Sequence, residues 1–314
     1  MIELIVKQND SSQRIDRFIT KAMPELPKSM MYRLIRKKDI KINGKRCAID
    51  TMLKEGDIVR VYVKDTVSAP KQHDMNFINA SSELEIVFED ENILIVFKPV
   101  GLDSHSNGIS STDTLINRIK RYLYDKGGYI PENENSFAPA LCSRLDRNTS
   151  GLVISAKNAS SLREINSAIQ SGRIHKIYRC LTVAEPPKTE DIITAWHFKD
   201  EDRNIVRISD EKKDSYREIR TGYRIIGRKN GLCLLEIKLF TGRTHQIRAH
   251  LAHIGCPILG DGKYGDIAKN KRYRIFRQAL CAYALEFDFP ENSPLNYLNE
   301  INVTVPDKLL TFSL

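Results

Sequence analysis

Asp146 is the acidic residue of this sequence whose surroundings most suggest chemistry. It lies between Arg144 and Arg147, in a polar turn that leads into the apolar stretch 151–156. A carboxylate at such a turn often only caps the turn or pairs with a neighbouring cation. Nearby positive charge also keeps a carboxylate ionised, which suits a nucleophile or a general base. The turn alone leaves both interpretations open.

A second segment, 241–255, places an arginine on a predicted helix. A glycine turn precedes the helix, which is expected at 244–254. Ile247, Leu251 and Ile254 share one face of it, and Arg248 lies on a different face. Arg248 is therefore not part of the apolar stripe.

The histidines of this segment do not form a known metal motif. His245, His250 and His253 lack the H-E-x-x-H spacing of zinc enzymes and have no carboxylate among them. We predict that they are structural and that the protein has no metal site. Two glycines further on are spaced like those of a phosphate-binding loop, but Asp261 follows where lysine is required. A nucleoside-triphosphate site is therefore excluded.

Two apolar candidates remain, each with a simple structural explanation. Tyr178 lies in a predicted strand, 176–183, on the face opposite Arg179. A tyrosine in a strand is usually part of the core, although its ring also suits stacking on an RNA base turned out of its helix. Leu280 precedes a strand-like stretch at 283–289, and core packing is its ordinary explanation.

Positive charge is concentrated near the N-terminus, where residues 1–64 hold 15 Lys and Arg against 8 Asp and Glu. This part predicts two short amphipathic helices around 14–19 and 30–36, then short strands at 40–42 and 57–63, with the turn dipeptide Asn43-Gly44 after the first strand. The candidate RNA-binding cations are Arg33, Arg36, Lys37, Lys38 and Lys41. A solvated helix face is an equally good explanation of them.

The rest of the chain predicts an α+β domain with a mixed, largely antiparallel sheet and flanking helices. Strands are expected at 84–88, 93–97, 151–156, 176–183, 215–226 and 232–239, and helices near 112–124, 159–171 and 244–254. Residues 65–82 lack periodicity and are rich in turn formers. We therefore expect a small basic domain at 1–64, a linker at 65–82 and a larger domain at 83–314.

Composition narrows the class of protein further. No apolar run approaches the length of a membrane span, and no segment has the order of a signal peptide. The six cysteines are scattered without a C-x-x-C pair, which suggests neither a zinc knuckle nor a disulfide framework. These patterns predict a cytoplasmic protein with reduced thiols and no membrane partner.

Segments 144–157, 241–265 and 277–282 together resemble the signatures of the RluA family of pseudouridine synthases. The resemblance runs from about residue 12 to residue 306 and is strongest to the RluC-like and RluD-like branch. Residues 12–64 resemble the small S4-like RNA-binding domain, with its αL motif, that this branch carries at its N-terminus. The resemblance implies a pseudouridine synthase catalytic domain that isomerises uridines in structured RNA without a cofactor.

The resemblance also implies roles for single residues. Asp146 would be the catalytic aspartate, with Arg248 paired to it. Tyr178 would stack on the target base and Leu280 would pack near it. Arg144 would help to flip or hold the nucleotide.

Two positions depart from the family pattern, which has histidine where Ser143 and Cys281 stand. Neither position is the nucleophile. Loss of both histidines together suggests a trait of a subgroup, and no RNA contact is assigned to either residue.

Forming pseudouridine breaks the bond from ribose to ring nitrogen, turns the uracil and rejoins it through ring carbon 5. One ionised carboxylate can stabilise positive character on the sugar, bond to it covalently or remove a ribose proton, and the sequence does not choose among these. A uracil-releasing glycosylase would need two carboxylates and a water molecule. No second acid is expected to accompany Asp146 in the signature segments, which favours the isomerase.

One alternative from another class is a non-catalytic RNA-binding ribosome-assembly factor, which would tolerate the loss of Asp146. The family resemblance implies large-subunit ribosomal RNA as the substrate, with transfer RNA as the alternative. A monomer satisfies everything in the sequence.

Overall fold

The computed structural model describes residues 1–63, 75–106 and 112–313. The helices in these ranges are α1 (Ile15–Ala22), α2 (Lys28–Lys37), α3 (Leu115–Asp125), α4 (Ala159–Gln170), α5 (Gln246–His253) and α6 (Ile267–Tyr273). The strands are β1 (Ile2–Ile5), β2 (Ile40–Ile42), β3 (Lys45–Arg46), β4 (Ile58–Val61), β5 (Glu85–Glu89), β6 (Ile93–Lys98), β7 (Ala140–Leu141), β8 (Ser150–Ala156), β9 (Ile174–Thr182), β10 (Glu190–Asp200), β11 (Ile205–Ser209), β12 (Arg217–Lys229), β13 (Leu232–Leu239), β14 (Leu280–Phe287) and β15 (Val303–Thr304). None of the helices in these ranges is long and apolar enough to cross a membrane.

Residues 1–63, called the N-terminal module below, form a four-stranded antiparallel sheet in the order β1-β4-β2-β3. Side chains of α1 and α2, including Phe18 and Met31, share a buried core with strand residues such as Val59. Asn43 and Gly44 have φ of 50° and 76°, as a two-residue hairpin turn requires, and they join β2 to β3. Both predicted helices and both predicted strands are confirmed, whereas β1 and β3 were not predicted.

Asp10 joins the N-terminal module to the rest of the chain. Its carboxylate is fully buried. It accepts hydrogen bonds from Asn135 Nδ2 (2.6 Å) and from the backbone N–H (3.0 Å) and hydroxyl (2.6 Å) of Ser136. Gln13 Nε2 also donates to the Ser136 hydroxyl at 2.9 Å. Hydrogen bonds to Asn135 and Ser136 thus attach the N-terminal module to the rest of the chain, in addition to the covalent connection.

The linker expected at 65–82 lies partly outside the described residues, which resume at residue 75. In the described part, Phe77 is buried against α3 and the loop after it. Its ring centroid is 5.7 Å from that of Tyr124 and 6.0 Å from that of Tyr129. Aromatic packing therefore fixes the chain as it enters the larger domain.

The larger domain is built on one 11-stranded sheet with the main order β11-β10-β12-β13-β9-β14-β8-β6-β5. In addition, β15 pairs with β14 and β7 pairs with β8. Every pair is antiparallel except β8 with β14, which is parallel. A Cβ on Gly151, whose φ is +122°, would lie 2.4 Å from backbone atoms of Ala282, so this parallel contact requires glycine. The α+β fold with a mixed, largely antiparallel sheet is confirmed.

Apolar side chains cover both faces of this sheet. Leu94 of β6 and Leu115 of α3 belong to the cluster on one face, which also includes residues of α5. Ile95 of β6 and Ile165 of α4 belong to the cluster on the other face. Because neighbouring residues of a strand point to opposite faces, the nearly continuous apolar run of β6 serves both clusters.

The predicted helices of the larger domain correspond to α3, α4 and α5, and the predicted strands to β5, β6, β8, β9, β12 and β13. Strands β7, β10, β11 and β15 and helix α6 were not predicted. Strand β14 begins at Leu280, three residues before the stretch expected at 283–289.

Candidate active site

Asp146 projects from a loop that is fixed on both sides. The loop precedes β8, and the side chain of Asp146 is 30% exposed. The Ser104 hydroxyl donates to the carbonyl of Leu145 at 2.9 Å, and the buried ammonium of Lys98 donates to the carbonyl of Arg147 at 3.0 Å. The carboxylate is therefore accessible while its backbone is held in place.

Arg248 bridges two aspartates. Its Nη1 donates to Oδ2 of Asp146 at 3.0 Å. Its Nε and Nη2 form a two-point contact with the carboxylate of Asp261, at 2.7 and 2.9 Å. Arg248 lies on α5, whose Ile247 and Leu251 are buried in the core, so the helix cannot turn without exposing them. The pairing of Arg248 with Asp146 that was expected from the sequence is present.

Asp261 holds the far side of this arginine. Its side chain is fully buried, and Oδ1 also accepts the backbone N–H groups of Lys263 (2.8 Å) and Tyr264 (3.0 Å). Burial opposes ionisation of Asp261, but the hydrogen bonds and charge of Arg248 outweigh it and lower the pKa of this carboxyl. Sequence reasoning missed this role and used Asp261 only to exclude a phosphate-binding loop. Its one sequence signal is its place within the signature segment 241–265.

His245 faces Asp146 from the start of α5. Its Nε2 lies 3.8 Å from Oδ2 of Asp146, and its Nδ1 lies 2.9 Å from the hydroxyl of Tyr264. Burial lowers the pKa of His245 to about 4, against the attraction of Asp146. The imidazole is therefore neutral at neutral pH, and Arg248 supplies the positive charge beside the carboxylate.

A cavity of about 820 Å³ opens beside this network. Its lining includes every residue that the sequence placed at the substrate site: Arg144, Asp146, Tyr178, Arg248 and Leu280. Tyr178 of β9 and Leu280 of β14 are 6% and 3% exposed, and burial raises the pKa of the Tyr178 hydroxyl. The fold thus brings four distant segments to one cavity.

The two positions that depart from the family pattern lie in different surroundings. Ser143 lines the cavity. Cys281 is buried in the cluster on the other face of the sheet, with Leu152 and Ile154, and burial raises its pKa to about 11. Replacement of histidine by cysteine at this position therefore concerns core packing.

The expectation that no second acid accompanies Asp146 in the signature segments is wrong, because Asp261 belongs to segment 241–265. Asp103 lines the same cavity, and Asp261 lies directly behind Arg248. Asp261 has both carboxylate oxygens engaged and no exposure, so it is not available to a substrate. Asp103 could serve as the second carboxylate that a glycosylase needs, so the choice between glycosylase and isomerase is tested by experiment below.

The histidines of α5 have ordinary polar partners. The Nδ1 of His250, a buried residue, lies 3.0 Å from Thr221 Oγ1, and the Nε2 of His253 lies 2.8 Å from Oδ1 of Asp210. Within residues 1–63, 75–106 and 112–313, no group of His, Cys, Asp and Glu side chains is arranged to hold a metal ion.

The cations predicted to bind RNA lie on the N-terminal module, and none of them lines the cavity. Lys41 of β2 has its ammonium 5.2 Å from the ring centroid of Tyr62. The other four, called the α2 cations below, are exposed: Arg33, Arg36, Lys37 and Lys38.

Comparison with known families agrees with this arrangement. The family model for RNA pseudouridylate synthase matches residues 92–253, and the model for the S4 domain matches residues 13–59. The chain belongs to the RNA pseudouridylate synthase family. It is an RNA pseudouridine synthase, an isomerase of the RluA type whose partner is RNA.

Relatives of the synthase align over nearly its whole length. An uncharacterized RNA pseudouridine synthase of Mycoplasma capricolum is 35% identical over 98% of each chain. The ribosomal large subunit pseudouridine synthase C of Haemophilus influenzae is 32% identical over 92% of this chain and 88% of its own, and that of Vibrio parahaemolyticus is 30% identical over 97% and 93%.

Solved structures share the fold of the synthase. Human RNA pseudouridylate synthase domain containing 4 has a TM-score of 0.56 at 20% identity, covering 72% of this chain and 90% of its own. Human RNA pseudouridylate synthase domain containing 1 has a TM-score of 0.55 at 21% identity, covering 72% and 84%.

Proposed function

We propose that Asp146 is the catalytic carboxylate of this synthase. The observation that carries the proposal is the chain of ion pairs from Asp146 through Arg248 to the buried Asp261, at the edge of the cavity. Arg248 donates a hydrogen bond to one oxygen of Asp146 and so orients the carboxylate. Because Asp261 holds the arginine on its other side, the carboxylate is positioned before substrate binds.

The other cavity residues suit a uridine turned out of its helix. The ring of Tyr178 offers a face to the uracil, and Leu280 adds an apolar surface beside it. Asp146 then acts at the ribose, either as a nucleophile or as a base toward a ribose proton, and both roles need the ionised carboxylate. The base remains in the cavity while it turns and rejoins through carbon 5, so neither a cofactor nor a metal is required.

We assign RNA capture and chemistry to different parts of the chain. Residues 1–64 form the RNA-binding domain, with Lys41 and the α2 cations facing the RNA backbone. Residues 65–82 connect it to the catalytic domain at 83–314. A monomer suffices, because all five substrate-site residues come from one chain.

We infer that the substrate is large-subunit ribosomal RNA. The inference is supported by relatives that are named ribosomal large subunit pseudouridine synthase C and cover most of this chain. Transfer RNA is the alternative substrate. An enzyme acting on ribosomal RNA would work in the cytoplasm.

The test compares the wild-type protein with Asp146→Asn on unmodified large-subunit ribosomal RNA and transfer RNA. Pseudouridine is mapped by chemical labelling and primer extension, with no cofactor added. We expect the wild-type protein to modify discrete uridines in ribosomal RNA, and Asp146→Asn to bind equally well but to modify none. Modification confined to transfer RNA would change the substrate assignment and leave the role of Asp146 intact.

Asp103→Asn is the matched control, because it removes a carboxylate from the same cavity. We expect it to retain turnover and its products to contain no free uracil. Release of uracil by the wild-type protein would identify a glycosylase instead. RNA binding without modification by either wild-type protein or variant, on naked RNA and on partly assembled ribosomal particles, would favour the assembly factor.

A further inference from the structure

The cations that line the cavity differ in whether they have a partner. Arg248 is paired with two aspartates, and the Lys199 ammonium lies 2.6 Å from a carboxylate oxygen of Glu201. The side chains of Arg144 and Arg243 have no hydrogen-bond or ion-pair partner among the described residues, but both are exposed and reach water. Lys176 also lacks such a partner among them and is partly buried in the cavity wall.

Lys176 lies two residues before Tyr178 in β9, and both side chains line the cavity. That spacing corresponds to about 6.6 Å along a strand. Cys142 and Leu239 line the cavity with them. Lys176 therefore belongs to the lining of the cavity that is proposed to receive the target uridine.

Among the described residues, no neighbouring charge compensates the burial of Lys176. Burial lowers the pKa of Lys176 to about 8. Cys142 is the ionisable group that acts on it, and burial raises the pKa of that thiol to about 12, so the thiol stays neutral. The other lining residues near this part of β9, Ile169 and Leu239, are apolar. A buried cation without a counterion is unfavourable in the free protein and becomes favourable once an anion enters the cavity.

We propose that Lys176 forms a phosphate-binding subsite inside the cavity, which holds the RNA backbone phosphate next to the uridine stacked on Tyr178. The subsite rests on the proposed function, because it presumes that uridine enters this cavity. It adds a contact to the backbone of the target nucleotide itself, separate from capture of distant RNA by the N-terminal module. A phosphate held there would restrain the ribose beside Asp146 while the base turns.

The test uses a short RNA hairpin that carries a uridine modified by the wild-type protein. We expect Lys176→Gln to raise the dissociation constant and KM about tenfold or more, as loss of a charged hydrogen bond predicts, while kcat at saturating RNA changes much less. Lys176→Arg keeps the charge and should restore most of the affinity. Lys199→Gln, at a cavity lysine that already has Glu201 as its partner, is the matched control and should change affinity about twofold at most.

A change on the RNA side locates the contact. Methylphosphonate, which lacks the negative charge, replaces the phosphate on either side of the target uridine in turn. We expect one replacement to weaken binding to the wild-type protein about as much as Lys176→Gln does, and to have little further effect on the variant. Equal losses in the wild-type protein and in Lys176→Gln at both phosphates would overturn the subsite, as would a variant with wild-type KM.

The pH dependence of affinity gives an independent measurement. The pKa of Lys176 in the free protein is about 8, and a bound phosphate raises it. The affinity for the RNA hairpin should therefore be highest below about pH 8, where Lys176 is protonated. Above that pH it should fall by up to tenfold per pH unit. Over about pH 7 to 9 this fall should be absent from Lys176→Gln and Lys176→Arg. A wild-type protein that modifies the hairpin without any of these effects refutes the subsite alone, whereas one that modifies no RNA refutes the proposed function.

Discussion

The arginine that contacts Asp146 is paired and buried, whereas the α2 cations are exposed and have no acidic partner among the described residues. Arg248 is 9% exposed and contacts two aspartates, one of them fully buried. Arg33, Arg36, Lys37 and Lys38 extend into solvent on α2 and just after it. The paired charges hold Asp146 in one geometry. The exposed α2 cations attract a polyanion without imposing a particular geometry on it.

The difference follows from what each region has to do. Chemistry on one nucleotide needs a carboxylate placed to a fraction of an ångström, and buried ion pairs impose such geometry at the cost of desolvation. Capture of a long RNA needs many contacts of modest strength, which exposed cations provide through release of counterions. Substitutions in the two regions should therefore differ in the size and the kind of their effects.

The largest effect on stability is expected at Asp261. Asp261→Ala leaves Arg248 with only one of its two acidic partners in a buried site, which should lower the free energy of unfolding by about 3–5 kcal/mol. Because Arg248 then loses its anchor, turnover should fall about a hundredfold even where the variant remains folded. Urea unfolding and single-turnover pseudouridine formation measure the two effects separately.

Two variants sharpen this result. Asp261→Asn keeps the shape of the side chain and should recover part of the stability, but an amide cannot accept both hydrogen bonds from Arg248, so turnover stays low. Glu185→Gln removes the charge from an equally short but exposed pair with Arg228, 2.7 Å apart, and should change stability by less than about 1 kcal/mol. An Asp261→Ala variant with wild-type turnover would show that Arg248 needs no anchor.

A smaller effect is expected from His250, which lies two residues after Arg248 on α5. Burial lowers the pKa of His250 to about 4, whereas an unfolded histidine has a pKa of about 6.5. The unfolded chain therefore takes up a proton first as the pH falls. The contribution of neutral His250 to the free energy of unfolding is therefore largest above about pH 6.5. It decreases as the pH falls toward 4, by about 2 kcal/mol between pH 7 and pH 5.

The His250→Gln variant isolates this contribution. It should be less stable than the wild-type protein at pH 7, because it replaces the imidazole that contacts Thr221. The difference should shrink by about 2 kcal/mol at pH 5, since glutamine does not titrate. Urea unfolding at several pH values gives the comparison, and a variant with the same pH slope as the wild-type protein would contradict a neutral, buried His250.

The sequence predicted the parts of the site that lie in local motifs. Asp146 and Arg248 each belong to a short segment whose residue order carries the family resemblance, and Tyr178 lies in a strand that was predicted. The structure places all three at one cavity. Asp261 was missed because its role depends on an arginine 13 residues earlier, and burial of a charge inside a glycine-rich turn has no periodic signal. Lys176 was treated only as part of a strand, since its lack of a partner is visible only in three dimensions.

The same limit explains a missed strand. In β10, Ile192 is 51% exposed while His197 is 6% exposed and has its Nε2 3.0 Å from the carbonyl oxygen of Thr244. The polar residue is inside and an apolar residue outside, so the alternation that identifies a strand is reversed at both positions. Central strands such as β6 and β8, which have apolar residues on both faces, were recognised without difficulty.

The smallest effects are expected from single α2 cations. Arg36→Gln should reduce the steepness of the dependence of log affinity on log salt by about 0.7, which corresponds to about threefold weaker RNA binding near physiological salt. Stability should change by less than about 0.5 kcal/mol, and kcat at saturating RNA should not change. Lys271→Gln, which removes an exposed cation near the end of α6 in the larger domain, is the matched control and should leave the salt dependence unchanged. Filter binding or fluorescence anisotropy at several salt concentrations gives the slopes, and equal slopes for Arg36→Gln and Lys271→Gln would mean that α2 is only a solvated helix face.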